Sequence, residues 1–214
     1  MVIAVIADII GSRRLSDRAS AQQALDETIA ELEERHPGAE QPLSPTVGDE
    51  LQGVYRDLGV CLNALLRVQL ALPEGIGLRF GIGIGGIRPI ASTHRELSDG
   101  PGWYAARAAI ERVHQRQQRA VPHMRTWIVG APGQDEVMDT TIAASNAYLL
   151  ARDELVARMS ERERRLVCGR LDGMSQRALA DQEGITQAAV SKALRTAAAA
   201  SLLDGMSQLA GEES

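Results

Sequence analysis

Leu43-Ser44-Pro45-Thr46-Val47-Gly48-Asp49-Glu50-Leu51-Gln52-Gly53-Val54-Tyr55 is the stretch that decides the fold. Two short strand-like runs, 43–47 and 51–55, flank Gly48-Asp49, and a Gly/Asp pair between such runs is a hairpin signal. Upstream, residues 2–8 are apolar and rich in β-branched types, and they stop at the Gly11-Ser12 turn, which predicts a strand. Between them, 16–35 carries Leu25, Ile29 and Leu32 on one face, an amphipathic helix ended by Pro37-Gly38. Downstream, 58–72 turns Leu58, Cys61, Leu62, Leu65 and Leu66 inward as a second helix, and 78–87 alternates as a strand. The order strand-helix-strand-strand-helix-strand is the α+β, ferredoxin-like plan. A helix over 102–118 and a strand over 124–129 are expected to extend the sheet. The expected organisation is a first domain over 1–131, a helical connector over 132–158 and an all-α helix-turn-helix domain over 159–214.

Composition narrows the class. With 214 residues, 44% of them hydrophobic and 24% charged, the chain suits a globular protein of one ordinary and one small domain, not a disordered one. The opening apolar run is too short to span a bilayer and lacks the basic start of a signal peptide. A cytoplasmic protein with no membrane partner is expected. Cys61 and Cys168 lie far apart and read as small buried apolar residues. His36, His94, His114 and His123 are equally scattered and make no zinc pattern. The net charge of −5 does not favour nucleic acid, so charge is read by region. The sole lysine, Lys192, falls in the segment with the strongest DNA-binding pattern.

That segment runs from Ser175. Leu179 and Ala180 face inward on one helix, Gly184 takes a tight turn, Ile185 plugs the core, and Thr186 caps a second helix anchored by Val190 and Leu194. Thr186, Gln187, Ala188, Ser191, Lys192 and Arg195 are the candidate DNA-contacting residues, types that reach base edges and phosphates from the major groove. A helix over 159–171, with Leu166 and Val167 inward, supports them. The arrangement resembles region 4 of sigma factors and many bacterial repressors. Glu183 departs from it, standing where an apolar residue is usual. Such modules also serve protein–protein contacts. DNA binding at high affinity requires paired half-sites and therefore a homodimer.

The first domain carries a second pattern. In the ferredoxin-like plan the first and third strands are antiparallel neighbours, so Asp8 at the end of one and Asp49 at the start of the other become close. Carboxylates that close repel unless a cation sits between them, and Mg²⁺ or Mn²⁺ is the ordinary solution beside phosphate. Ile10, Gly11 and Ser12 can aim backbone N–H groups at a phosphate, with Arg13 and Arg14 to neutralise it. Alternatively, both aspartates merely cap turns. Gly81, Gly83 and Gly85 leave one strand face bare, open to a close helix or to a ligand. A long helix over 135–157 carries Val137, Ile142, Leu149 and Val156 on one face, to pack in cis or against a second copy.

Ala7-Asp8-Ile9-Ile10-Gly11-Ser12, Thr46-Val47-Gly48-Asp49-Glu50 and Leu78-Arg79-Phe80-Gly81-Ile82-Gly83-Ile84-Gly85 follow in order the core motifs of class III nucleotidyl cyclases, and the Gly48-Asp49-Glu50 turn is also similar to diguanylate cyclases and polymerase palms. That resemblance implies that Asp8 and Asp49 hold Mg²⁺, helped by the Ile9 carbonyl. It also implies that Arg107, in Gly102-Trp103-Tyr104-Ala105-Ala106-Arg107, is the catalytic arginine. Trp103 stands where those enzymes have an asparagine, and Pro45 where they have the base-reading lysine. Over nearly the whole chain the sequence is similar to the SatD family of bacterial proteins. The phrases that carry it are Ile6 to Ser12, Val47-Gly48-Asp49-Glu50-Leu51-Gln52-Gly53 and Asp99-Gly100-Pro101-Gly102-Trp103-Tyr104-Ala105-Ala106-Arg107, with the terminal helix-turn-helix.

The leading expectation is a DNA-binding transcriptional regulator whose palm-like domain takes a metal-chelated nucleotide, or a nucleotide-derived small molecule, as effector. The alternative is a Mg²⁺-dependent nucleotidyl transferase or cyclase targeted by its helix-turn-helix. A third reading is a dimerisation scaffold.

Overall fold

The computed structural model describes residues 1–12, 17–46, 48–90 and 97–210. A five-stranded sheet is built from β1 (Ile3–Ile9), β2 (Gln41–Pro45), β3 (Glu50–Tyr55), β4 (Leu78–Ile84) and, last in the chain, β7 (Thr126–Gly130), in the order β2-β3-β1-β4-β7. β1 runs antiparallel to both β3 and β4, and β7 is parallel to β4. β5 (Arg88–Ile90) and β6 (Leu97–Asp99), which the sequence reading did not anticipate, form a separate two-stranded ribbon. The fold is therefore mixed α+β, and among the described residues no helix is long and apolar enough to cross a membrane.

Period-two alternation sorts the sheet into two faces. Ile3, Val5, Ala7 and Ile9 point toward α1 (Arg18–Arg35) and α2 (Leu58–Ala71), where Leu25, Ile29, Leu62 and Leu65 complete the core. Ala4 and Ile6 point the other way, onto α3 (Pro101–Gln117), with Val54, Trp103, Ala106 and Ile110. The bare glycine face is filled by that helix. A Cβ on Gly81 would overlap Ala106 O and Ile110 N, and one on Gly83 would overlap Gly102 O. The close approach needs glycine.

The long helix α4 (Glu136–Arg158) packs in cis along β7. Ile142, Leu149 and Val156 are buried as expected, whereas Val137 is 75% exposed, because it falls off the packed face while its neighbour Met138 takes the core side. On the buried face two polar side chains, Asn146 and Asp153, lie seven residues apart. Asn146 accepts the Ile128 N–H at 2.9 Å and donates to the Ile128 carbonyl at 2.9 Å. Asp153 accepts the N–H groups of Arg125 (2.6 Å) and Thr126 (2.7 Å). The helix thus takes up outward hydrogen bonds of an edge strand, which would otherwise invite another strand. At the opposite edge β2 carries Pro42 and Pro45, residues that fit only an edge.

Four further helices, α5 (Glu161–Leu171), α6 (Gln176–Glu183), α7 (Gln187–Thr196) and α8 (Ala199–Ala210), pack together. α8, also unanticipated, lies across α2 and α4. The Tyr148 hydroxyl donates to the Leu202 carbonyl at 2.7 Å, and Gly205 lets the ring approach. Leu166, Val167, Leu179, Val190 and Leu202 belong to the same apolar cluster as the α1/α2 face of the sheet. Arg67 on α2 ion-pairs with Asp172 after α5 and donates to the Leu171 carbonyl at 3.1 Å. The expected boundary at the 132–158 connector is therefore bridged by one continuous core.

Candidate functional site

On the α3 face of the sheet, at one end, acidic and basic side chains converge where the apolar alternation of β1 ends. The register pairs Asp8 with Glu50 on one side and Arg79 on the other. The expected partner, Asp49, lies one residue earlier, in the turn itself. Thr46 closes that turn through its N–H to the Glu50 carbonyl at 2.9 Å, Gly48 takes φ +77°, and β3 begins only at Glu50. Directly opposed residues have Cβ atoms about 4.5–5.5 Å apart, so Glu50 is the carboxylate facing Asp8 across the ladder.

Both facing acids already have cationic partners. Arg79 grips Asp8 through two parallel bonds, Nε to Oδ1 at 2.7 Å and Nη2 to Oδ2 at 3.0 Å. Such fork-to-carboxylate geometry is the strong form of the interaction. The pair is partly shielded, with Arg79 at 11% and Asp8 at 29% side-chain exposure. Arg79 also contacts His114 and the Gln117 side-chain oxygen (3.4 Å), both on α3. Arg107, from the same helix, holds Glu50 at 2.7 Å, and Gln52 donates to Glu50 at 3.0 Å. Arg107 therefore does reach the site, anchored to Glu50. Among the described residues Asp49 has no side-chain hydrogen bond or ion pair, and no group of three or more His, Cys, Asp or Glu is placed to hold a metal.

The expected phosphate cradle is altered in one respect. The Ile10 N–H does not face outward, because it donates to the Gly77 carbonyl at 2.8 Å. Gly11 takes φ +68° and, like Ser12, is partly exposed. Arg13 and Arg14 lie outside the described residues. Trp103 is a packing residue, 9% exposed, with its indole N–H on the Ser98 hydroxyl at 2.8 Å. Its position against β1 and β3 explains why a large apolar ring stands there. Sequence reading missed Glu50 and Arg79. Both lie at even spacing from residues that face α3, Glu50 from Val54 and Arg79 from Gly81, and that alternation was the available signal.

The second candidate surface is α7. Ser175 caps α6 and Gly184 ends it at φ +64°, after which Thr186 caps α7 by accepting the Ala189 N–H at 3.1 Å. Val190 and Leu194 are buried. Gln187, Ala188, Lys192 and Arg195 are exposed on the outer side, and Ser191 is partly exposed. Thr186 has thus committed its hydroxyl oxygen to the cap. Glu183 is paired rather than misplaced. Arg165 on α5 donates to it through Nε (2.8 Å) and Nη2 (2.9 Å), clamping α5 to α6. That hydrogen bond, with the adjacent guanidinium charges, holds the Glu183 carboxyl below its ordinary range.

Comparison with known proteins adds a family and distant likenesses in structure. The sequence profile of the SatD family matches residues 2–205. No curated protein matches. Two structures of bacterial light-regulated adenylyl cyclases align over 58% of this chain. One is 9% identical with TM-score 0.43, over 73% of its own length; the other is 11% identical with TM-score 0.45, over 41%. A regulator of polyketide synthase expression from Bifidobacterium adolescentis aligns over 99% of this chain and 81% of its own, at 16% identity and TM-score 0.23.

Proposed function

Because this chain belongs to the SatD family, with its profile running from the first strand to the last helix, we propose that it is one regulatory unit: a DNA-binding transcriptional regulator whose ferredoxin-like, palm-like half binds a metal-chelated nucleotide as effector. One observation carries the DNA half of this reading. The outer side of α7 presents Gln187, Ala188, Lys192 and Arg195 to solvent, while α5, α6 and α8 pack its inner side. That is how a recognition helix is offered to a major groove. A pair of such modules, in a homodimer, would supply the affinity that one lacks.

The effector half is supported by the acids at the end of β1. Asp8, Asp49 and the Ile9 carbonyl would hold Mg²⁺ or Mn²⁺, and their hard oxygens suit either ion. Bound there, the ion would neutralise phosphate charge. Gly11 and Ser12 would face the phosphates, and Arg107, fixed on Glu50, would supply positive charge nearby. Arg79 competes for the same Asp8 carboxylate, so it and a metal are alternative partners of that acid. The nucleotidyl-transferase reading is favoured by one feature only, the unengaged Asp49 beside a seated Arg107.

Selection of bound DNA from a random pool, followed by titration, tests the first half. Lys192→Ala is expected to weaken binding evenly across sequences and lower the salt slope by about 1, while Arg195→Ala costs about 1–3 kcal/mol where it reads a base. No enrichment of any sequence would overturn DNA recognition. Melting with Mg²⁺ and each nucleoside triphosphate tests the second half. Stabilisation that persists in Asp8→Asn would overturn the metal-bridged site, and pyrophosphate release would move the reading to the transferase.

A further inference from the structure

A cavity of about 300 Å³ lies between the α2–β4 connection (residues 72–77) with the start of β4 and the α4–α5 junction around Met159. That volume is at the lower end for small-molecule sites. Two guanidinium groups line it, Arg125 and Arg164. Among the described residues neither is in an ion pair. Arg125 spends Nη1 on the carbonyls of Pro122 and Met124, and the Arg164 Nε is shut off from water with no hydrogen-bond partner at all. An unpaired, dehydrated donor on a charged group is costly, and protein structures rarely leave one.

The remaining polar lining tells what else the cavity wants. Gln69, only 7% exposed, gives its Nε2 to Thr126 (3.1 Å) and Asp153 (3.4 Å) and leaves Oε1 without a partner. Asp153 lines the cavity too, but its carboxylate is occupied by two backbone N–H groups and by Arg152. Glu74 and Glu161 are exposed, and Glu161 lies 3.6 Å from Arg165. The Asp153 charge already acts on Arg125, so the unmet demand is for an anion at Arg164, with Arg125 in support, and for a hydrogen donor at Gln69.

We propose that this cavity binds a small organic oxyanion bearing a hydroxyl or amino group, its oxyanion held by Arg164 and Arg125 and its donor by the Gln69 oxygen. The site is separate from the one at Asp8, although the two share a wall. Gly77, in the cavity's loop, carries the carbonyl that accepts the Ile10 N–H. On its far side the cavity touches Ser160 and Glu161, where α5 begins. Its ligand therefore touches both halves of the molecule at once.

Melting curves of the full chain with matched anions test this, glycolate against acetate and L-lactate against propionate. The hydroxylated member of each pair is expected to raise Tm by roughly 3–6 °C at tenfold excess over Kd, more than its partner. Arg164→Gln should abolish the rise, Arg164→Lys should keep a reduced one, and Arg35→Gln, far along α1, should keep it whole. Asp8→Asn should also keep it, which separates this site from the nucleotide reading. No shift with any of the four anions, or an undiminished shift in both Arg164 variants, overturns the proposal. Equal shifts within each pair overturn the role given to Gln69.

Discussion

Two arginine–aspartate pairs flank the same sheet, one at its β7 rim and one on its α3 face, and they differ in what surrounds them. Arg152 and Asp153, on α4, are both fully buried, and Asp153 also takes two backbone N–H groups at the start of β7. Arg79 and Asp8, under α3, are partly open to solvent and stand beside a second such pair, Glu50 and Arg107. The first acid has no spare capacity, and its partner, wholly buried, reaches only the Thr126 hydroxyl besides. The second acid is held by an arginine that already touches His114 and Gln117 as well. Burial with backbone amides marks a structural pair. Partial exposure with alternative partners marks one that can be exchanged.

Four experiments sharpen or break this contrast. The largest effect belongs to Asp153→Asn, which leaves Arg152 charged and uncompensated in the interior. Urea melts are expected to show about 3–5 kcal/mol lost, and a loss below about 1 kcal/mol would erase the distinction. Next comes Asn146→Ala, which strands the Ile128 N–H and carbonyl. About 1–3 kcal/mol should go, with hydrogen exchange at β7 accelerating first. On the α3 face, Arg79→Gln should leave the fold intact and tighten Mn²⁺ binding by roughly tenfold, about 1.4 kcal/mol, read by titration calorimetry. Unchanged or weaker Mn²⁺ binding would show that Arg79 supports the acid rather than guarding it. Smallest is the Glu183 clamp, a surface pair worth at most about 1 kcal/mol. Its carboxyl is lowered in the folded state, so the contribution is present above the ordinary carboxylate value and disappears as pH falls through the lowered one. Stability below that range should therefore match Glu183→Gln, and the two should separate as pH rises.

Most of the fold was legible in the sequence because its elements obey local rules. The Gly48-Asp49 turn, the leucines of α2 at helical spacing and the glycines of β4 each declare their element, and the helix that fills the glycine face was one of the two readings open. What local rules do not carry is register. Asp8 and Asp49 were expected to face each other because both border turns, yet closure by the Thr46 N–H moves the start of β3 by one residue and brings Glu50 to that place. In a ladder of period two, one residue exchanges the faces. The Arg79 partner was hidden in another way: period two puts it on the face of Gly81, but nothing in its own neighbourhood names the acid that it meets. α8 was not anticipated although Leu202, Met206 and Leu209 fall at helical spacing, and its purpose, covering α2 and α4, is visible only once those helices are in place.

The treatment of the sheet's two rims also constrains how copies of this protein can meet. One rim is a proline-bearing strand and the other has outward amides occupied by Asn146 and Asp153. Neither rim of the five-stranded sheet offers a free backbone ladder, so extension of that sheet by a neighbouring chain is disfavoured. Contacts between copies that spare this sheet would be written in side chains, where single substitutions can tune them without disturbing the strands beneath.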